Sequence, residues 1–170
     1  DLTFDVKGPY MMPVDYEYYG KNYETKTIEM VRECVKQAHN EGVNMAQYDW
    51  YNSGDVDLVY VLYAGYGQAT STDKNSIWPH ASRGQLIDTY DGKQMLQYAC
   101  SNEIDQIKDN DTNANLISGI GTICHEFSHC LGFPDYYDVD YSGAYGMGSW
   151  DIMSSGSYNE NSFRPANYTA

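Results

Sequence analysis

The stretch His125-Glu126-Phe127-Ser128-His129 places two imidazoles four positions apart, with a carboxylate directly after the first. On a helix, residues four apart lie on one face, so the two rings are able to converge on a single cation. Glu126 then points from the same turn toward the water that attacks a substrate, as a general base requires. The pattern predicts a helix whose two histidines bind zinc. The alternative is a pair of solvated histidines on an amphipathic helix.

The residues after this helix predict a third metal ligand. Gly132 is free to adopt a positive φ and Pro134 cannot continue a helix, so we expect a sharp turn here. Asp135 then lies within reach of both histidines and completes the three protein ligands that hydrolytic zinc sites commonly use. A turn-capping role is the alternative for this aspartate. Asp138 and Glu160 are the reserve candidates for the third ligand.

The extended motif His-Glu-x-x-His-x-x-Gly-x-x-Asp, with Phe-Pro-Asp-Tyr-Tyr-Asp over residues 133–138, resembles the immune inhibitor A family of secreted bacterial metallopeptidases. That family belongs among the metzincins. Three further segments carry the resemblance, namely VDLVYVLYAG at 56–65, IWPH at 77–80 and GSWDIMSSG at 148–156. The resemblance implies a zincin-like or metzincin-like catalytic domain of the α+β class. In such a domain a twisted mixed sheet accompanies the active-site helix and a Met-turn.

The resemblance also implies roles for two residues downstream of the motif. In this family the methionine after the tryptophan forms a turn beneath the metal-binding histidines. Met153 is therefore expected to supply an apolar floor without touching the metal, and an ordinary core methionine is the alternative. Tyr158 lies five residues further on, in the region where some metzincins place a hydroxyl that stabilises the transition state.

The chain length fits one domain. We expect residues 1–170 to form a single metallopeptidase catalytic domain, since a chain of this length is able to bury a sizeable core. The family pattern continues beyond the segment that follows the Met-turn, so this domain is expected to be part of a longer protein. A propeptide or additional domains would lie outside the sequence. The resemblance places such a protein outside the cell, either secreted or at the cell surface.

The charge of the chain argues against two classes of partner. The sequence has 24 acidic and 10 basic residues, which gives a formal net charge of −14 at pH 7. Nucleic acids and anionic membranes bind clustered Lys and Arg side chains, which this sequence lacks. No apolar stretch approaches the length of a membrane span. The resemblance implies a protein or peptide substrate as the partner.

A second, weaker metal pattern lies upstream. Asp49, Asn52, Asp55 and Asp57 place hard oxygen donors around Gly54, as in an incomplete calcium loop. The stretch lacks the regular alternation and the closing glutamate of an EF-hand, so a plain helix-to-strand turn is the favoured alternative. Zinc is thus the principal cofactor that the sequence predicts, and calcium is a secondary one.

The four cysteines are Cys34, Cys100, Cys124 and Cys130. None of them has the close paired spacing that holds structural zinc. We expect four buried thiols and leave their pairing open. A bond between Cys124 and Cys130 is disfavoured, because residues six apart on one helix lie on largely different faces.

Periodicity predicts the remaining elements. A helix is expected over residues 27–41, with Thr27 as its cap, and the metal-binding helix over residues 117–131. Residues 56–64 are apolar on both alternations, as in a strand covered on both faces, so we expect this strand at the centre of the sheet. Residues 93–100 alternate less cleanly and are expected at an edge, where an extended peptide substrate gains backbone hydrogen bonds.

These observations predict a zinc-dependent endopeptidase that hydrolyses peptide bonds in extracellular proteins. Glu126 would take a proton from the attacking water and pass it to the leaving amine. One alternative is a zinc-stabilised binding module for glycoproteins that has lost turnover, although such a module has no chemical need for Glu126. Another is a zinc hydrolase of a non-peptide substrate, which the sequence does not separate from a peptidase.

Overall fold

The computed structural model describes residues 3–21, 23–108 and 113–169. Its elements, in chain order, are α1 (Tyr16–Gly20), α2 (Tyr23–Asn40), β1 (Val59–Tyr66), β2 (His80–Tyr90), β3 (Lys93–Lys108), β4 (Asn113–Ile117) and α3 (Ile120–Cys130). Short 3₁₀ turns lie at Met45–Tyr48, Gly148–Trp150 and Ser155–Tyr158. The helices and the sheet occupy separate stretches of the chain, so the prediction of an α+β class is confirmed. No described helix is long and apolar enough to span a membrane.

The sheet is mixed, and β3 is its central strand. The described strands follow the order β1-β3-β2, and β4 pairs with the far half of β3. β1 runs parallel to β3, whereas β2 and β4 run antiparallel to it. The predicted strand positions were therefore wrong, because β1 lies at an edge and β3 at the centre.

The physical reason for this error is visible in the side chains of the two strands. The polar Gln97 suggested an exposed edge strand. Its amide instead donates to Asp57 O at 3.2 Å and to Cys130 O at 3.1 Å. In β1, Val61 and Tyr63 are buried in the main core. Tyr60 points to the other face and donates to Ser101 Oγ at 3.0 Å. Leu62 on that second face is 57% exposed, so the prediction of two covered faces was wrong as well. Apolar residues on both alternations report neither two covered faces nor the number of neighbouring strands.

Helices cover both faces of the sheet. Val31 and Val35 of α2 pack in one core cluster with Tyr98 and Cys100 of β3. Because alternate side chains of a strand point to opposite faces, Gln97 lies on the other face, where it contacts the end of α3. The helix predicted to start at Thr27 begins one turn earlier, at Tyr23, so Thr27 is a buried residue within the helix and not its cap.

The first turn of α3 packs directly on the backbone of residues 157–163. Gly121 N donates to Ser162 O at 2.9 Å. A Cβ atom at Gly121 would overlap Ser157 O, which is a backbone atom that a rotamer change cannot move. This contact sets the distance between the helix that carries the histidines and the segment that follows Met153.

Replacing Gly121 with Ala is expected to destabilise the fold. Alanine gains up to about 1 kcal/mol in helix propensity, but overpacking against fixed backbone costs about 1–3 kcal/mol or more. We expect a net decrease in the free energy of unfolding, measured by urea denaturation. Ile120→Ala is the matched control, since Ile120 is 55% exposed and its truncation should change stability by less than about 0.5 kcal/mol. Equal stability of Gly121→Ala and the parent would contradict this packing.

Candidate active site

The two histidines of the motif lie on α3, and the structure brings Asp135 to both of them. Asp135 Oδ1 is 3.2 Å from His125 Nε2 and 3.2 Å from His129 Nε2. The two imidazole rings are nearly perpendicular, with an interplanar angle of 87° and centroids 4.8 Å apart. The three predicted metal ligands therefore converge on one point.

The turn after α3 explains how Asp135 reaches this position. Gly132 has a φ of +97°, which glycine adopts without a Cβ penalty. Its N–H donates to His129 O at 2.9 Å, and Phe133 N donates to Ser128 O at 3.1 Å. This pair of bonds is the Schellman arrangement, which reverses the chain at a helix C-terminus. The turn predicted at Gly132 is thus confirmed.

The protonation of the two rings makes the point of convergence a cation site. His125 Nδ1 lies 2.8 Å from Ile152 O, and His129 Nδ1 lies 2.8 Å from Phe133 O. A carbonyl oxygen only accepts, so each Nδ1 carries a proton, and in a neutral ring each Nε2 presents a bare lone pair. Both lone pairs face Asp135 Oδ1, a buried oxygen without a hydrogen-bond partner. Three electron-rich atoms in this arrangement fit a bound cation.

The spacing of these atoms suits zinc. Ligand atoms about 2.0–2.1 Å from a tetrahedral zinc ion are about 3.3 Å from one another, close to the separations of Asp135 Oδ1 from the two Nε2 atoms. Burial raises the pKa of Asp135, but donation from the Nε2 atoms of protonated His125 and His129 lowers it by more, so the pKa lies well below its ordinary value and the carboxylate stays charged. A bound cation would take the place of those two protons. A charged oxygen with two imidazole nitrogens is a donor set that zinc accepts.

Glu126 lies beside this group and is only 7% exposed. Burial raises the pKa of its carboxyl to about 7, against an opposing effect of His125 and His129. A carboxylate with a pKa near neutrality is able to accept a proton and to release it again at physiological pH. This environment suits the general-base role that the sequence predicts for Glu126.

A cavity of about 370 Å³ opens over these residues. Its walls come from the start of β2, from α3 and from the loop after α3. Besides the three predicted ligands and Glu126, the lining includes Arg83, Gln97 and Tyr137, none of which the sequence singled out as a site residue. Tyr137 could have been found from the sequence, because it lies two residues after the predicted ligand Asp135. Arg83 and Gln97 could not, because strand pairing brings them to the cavity.

Tyr158 does not line this cavity. It lies in the turn Ser155–Tyr158 with 46% of its surface exposed. Burial and the charge of Glu126 raise the pKa of the Tyr158 hydroxyl, which places this residue in the electrostatic neighbourhood of the site. Tyr137 is the tyrosine that faces the cavity.

The segment 151–154 is tightly bound to the rest of the site. Met153 is fully buried, and its carbonyl accepts from Tyr136 N at 2.7 Å. The neighbouring Ile152 O is the acceptor that orients His125. Asp151 is also fully buried and accepts from Met153 N at 2.6 Å and from Thr169 N at 2.6 Å. The turn therefore fixes the orientation of one predicted metal ligand.

The two reserve ligands have other partners. Asp138 closes its own loop, where its carboxylate accepts from Gly143 N at 2.7 Å and from Ser142 N at 3.2 Å. Glu160 pairs at the surface with Arg164 at 3.4 Å. Neither carboxylate is in the group with His125 and His129, so Asp135 is the third ligand that the geometry favours.

The predicted calcium residues form a closed turn. Asp49 accepts from Lys93 Nζ at 2.6 Å and from Gly54 N at 2.9 Å. Asp57 accepts from Trp50 N at 3.2 Å, Asp55 forms an isolated bridge with Gln94, and Asn52 has a φ of +53°. These contacts are explained by the turn alternative, and they add no support to the calcium prediction.

Replacing Asp49 with Asn should weaken the fold in a pH-dependent way. The hydrogen bond from Lys93, with smaller contributions from Gly54 and Ser53, lowers the pKa of Asp49 to about 2. A folded pKa below the unfolded value of about 3.9 means that the carboxylate stabilises the fold above that pH and stops doing so as the pH falls toward 2. We expect a Tm about 2–5 °C below that of the parent at pH 7 and a vanishing difference near pH 2.

Asp55→Asn is the control for this comparison, because its side chain has no hydrogen bond or ion pair within the described ranges. Thermal unfolding of both variants, followed by circular dichroism from pH 7 to pH 2, gives the result. A Tm difference for Asp49→Asn that is the same at every pH would contradict the role of the Lys93 contact.

All four cysteines are free thiols. Cys100 is fully buried, and the other three are partly buried. Burial raises the pKa of Cys130, which lines the cavity, to about 12, so this thiol is neutral at physiological pH. Among the described residues, the group of side chains close enough to hold a metal ion contains His125, Glu126 and His129, and no cysteine joins it.

Comparison with known proteins gives consistent matches over most of the chain. The family model described as immune inhibitor A peptidase M6, catalytic domain, matches residues 2–167. Immune inhibitor A of Bacillus thuringiensis subsp. alesti is 26% identical over 157 residues, which cover 76% of this chain and 21% of that protein. Pre-pro-metalloprotease PrtV of Vibrio cholerae serotype O1 (strain M66-2) is 28% identical over 175 residues, which cover 89% and 19% respectively. The chain spans about a fifth of the length of these relatives.

Proposed function

Since this chain belongs to the immune inhibitor A family of metallopeptidases, we propose that it is a zinc-dependent endopeptidase of extracellular proteins. The observation that carries the proposal is the buried Asp135 Oδ1, which faces the Nε2 atoms of His125 and His129 at 3.2 Å each. We further propose that residues 1–170 are a single catalytic domain of metzincin type within a longer, secreted protein.

In this proposal His125, His129 and Asp135 hold the zinc ion. When bound, zinc supplies Lewis acidity, which makes water more acidic and polarises the scissile carbonyl. The carbonyls of Ile152 and Phe133 keep the two rings in the tautomer that presents Nε2 to the metal. Met153 serves as the buried floor of the turn that holds Ile152 in place.

Glu126 performs the proton transfers. Its carboxylate takes a proton from the attacking water and later delivers it to the nitrogen of the leaving amine. The burial that raises the pKa of Glu126 to about 7 supports both steps, because the two protonation states then have similar free energies near neutral pH. A carboxylate in this place favours turnover over a lapsed binding module.

The substrate is proposed to lie along β2. Residues 80–83 pair with β3 on one side, and no described strand pairs with them on the other. The same residues line the cavity. An extended peptide would add to this edge through backbone hydrogen bonds, which depend weakly on side chains and suit a protein substrate. β2 thus takes the role that the sequence assigned to residues 93–100.

Two tyrosines are candidates for supplying the hydroxyl that stabilises the transition state. Tyr158 is the candidate from the family resemblance, and Tyr137 is the one that lines the cavity. Burial raises the pKa of both hydroxyls; the charge of Asp135 and a hydrogen bond to it raise the pKa of Tyr137 further, and the charge of Glu126 raises that of Tyr158. The Phe variant of the true donor should have a kcat about 10–100-fold lower at unchanged KM, and the other Phe variant should have nearly the parental kcat.

Metal removal tests the proposed function. Treatment with a zinc chelator is expected to stop cleavage of denatured gelatin by the purified chain, and stoichiometric zinc should restore it. Gelatin cleavage that persists after complete metal removal would contradict the proposal. Zinc-dependent hydrolysis of an ester without any peptide cleavage would instead favour the non-peptide hydrolase.

A further inference from the structure

Strand pairing turns the side chain of Arg83 toward the active-site helix. In the β2–β3 ladder Arg83 lies directly opposite Gln97. Directly opposed residues of an antiparallel pair project from the same face of the sheet. Gln97 reaches α3 from that face, where its amide donates to Cys130 O at 3.1 Å. Arg83 therefore extends over the face that carries the site, and it lines the same cavity as Glu126 and Asp135.

The guanidinium of Arg83 has no hydrogen-bond or ion-pair partner among the described residues. Its side chain is exposed. The other two arginines are engaged: Arg32 donates to Ile87 O at 2.6 Å and Arg164 pairs with Glu160 at 3.4 Å. In a chain with 24 acidic and 10 basic residues, an arginine without a carboxylate partner at the rim of a cavity is unexpected.

The described residues that line the cavity include no unassigned carboxylate that could pair with Arg83, so its charge is available to a ligand. Arg83 is the single Lys or Arg among the described residues that line the cavity. The two carboxylates of the lining are already assigned, Asp135 to the metal and Glu126 to proton transfer. A planar guanidinium binds carboxylates in a bidentate geometry, which gives both affinity and orientation.

The point where the regular pairing of β2 with β3 ends determines where a carboxylate of a bound peptide would lie. The β2–β3 register is regular from His80 to Arg83 and shifts between Arg83 and Asp88. Gly84 follows with a φ of +84°. A peptide paired with the regular stretch 80–83 would therefore have one end of its bound strand beside Arg83.

We propose that Arg83 selects peptide substrates that place a carboxylate at this end of the bound strand. The carboxylate is either an Asp or Glu side chain or a free C-terminus. This inference rests on the proposed peptidase function and adds a substrate class to it. The alternative is a structural role, in which the charge of Arg83 interacts favourably with the C-terminal carbonyls of α3. Such a role would affect stability and not selectivity.

Matched fluorogenic peptides test the inference. One set carries Glu, Gln or Lys at each position around the scissile bond, and a second set compares a C-terminal acid with its amide. We expect the zinc-loaded parent to cleave one Glu peptide, or the C-terminal acid, with a kcat/KM about tenfold above that of its uncharged partner. Arg83→Met should remove this ratio, and Arg83→Glu should shift it toward Lys.

Lys74→Met is the matched control, because Lys74 is an exposed cation outside the cavity and its removal should leave the ratio unchanged. A second arm measures the Kd of uncleaved Glu and Gln peptides for the zinc-loaded Glu126→Ala variant by fluorescence anisotropy. The same preference is expected there, and its loss is expected in Glu126→Ala combined with Arg83→Met. Unchanged thermal stability of Arg83→Met would separate selectivity from support of α3.

The outcomes separate this inference from the proposed function. Cleavage of the Glu, Gln and Lys peptides at equal rates, with equal rates for acid and amide, would overturn the role of Arg83 and leave the peptidase intact. If the parent cleaves no peptide, the peptidase fails, and the binding arm alone decides the role of Arg83. Equal or absent binding of the peptides in that arm would overturn it.

Discussion

Glu126→Gln is expected to lower kcat for peptide hydrolysis by about 10²–10⁴-fold, with bound zinc unchanged. Glutamine keeps the size and shape of the side chain but cannot take a proton from water. The three predicted ligand atoms belong to His125, His129 and Asp135, so metal binding should be intact. Steady-state kinetics on a fluorogenic peptide and elemental analysis of the same samples provide the two quantities.

Glu103→Gln is a matched control for this substitution, since Glu103 is an exposed glutamate of β3 outside the cavity. Its kcat and its zinc content should equal those of the parent. A parental kcat in Glu126→Gln would contradict the proposed mechanism. Loss of zinc in that variant would make Glu126 a ligand and would require another base.

Asp135→Asn should weaken zinc binding by more than about 100-fold and remove turnover with it. The substitution keeps an oxygen of similar size but removes the negative charge at the atom that lies 3.2 Å from both Nε2 atoms. Because zinc draws much of its affinity from charged donors, the neutral amide is a poor replacement. Competition with a chromogenic chelator measures the affinity, and added zinc should restore activity only at high concentration.

The two reserve ligands supply the controls for Asp135→Asn. Asp138→Asn alters a carboxylate that closes its own loop, and Glu160→Gln alters one that is paired with Arg164 at the surface. Both variants should bind zinc like the parent. The assignment would be overturned if Asp135→Asn retained parental affinity, and a loss in either control would identify the actual third ligand.

The convergence of His125, His129 and Asp135 was predictable because it is local. Residues 125–135 contain a helix, the glycine that ends it and the carboxylate that follows, and each has a known geometry of its own. The spacing of His125 and His129 and the reversal at Gly132 could therefore be derived from neighbouring residues. What the sequence could not give is the acceptor of the Nδ1–H of His125. The partner of His125, Ile152 O, comes from a distant turn.

The order of the strands and the outer wall of the cavity were not predictable in this way. The apolar run of β1 predicted a central strand covered on both faces, but β1 lies at an edge, and Leu62 is exposed on the face opposite to Val61 and Tyr63. The position of Arg83 depends on the register of β2 against β3, which nothing in its immediate sequence determines. The resemblance pointed to Tyr158, whereas the loop that returns Asp135 also brings Tyr137 to the cavity.

X-ray absorption spectroscopy at the zinc edge of the zinc-loaded chain tests the central claim most directly. The account predicts two imidazole nitrogens and oxygen donors at about 2.0–2.2 Å from the metal, with no sulfur in the coordination shell. Sulfur at about 2.3 Å would place Cys124 or Cys130 on the metal, and a shell without imidazole would remove both histidines; either result would contradict the proposed site.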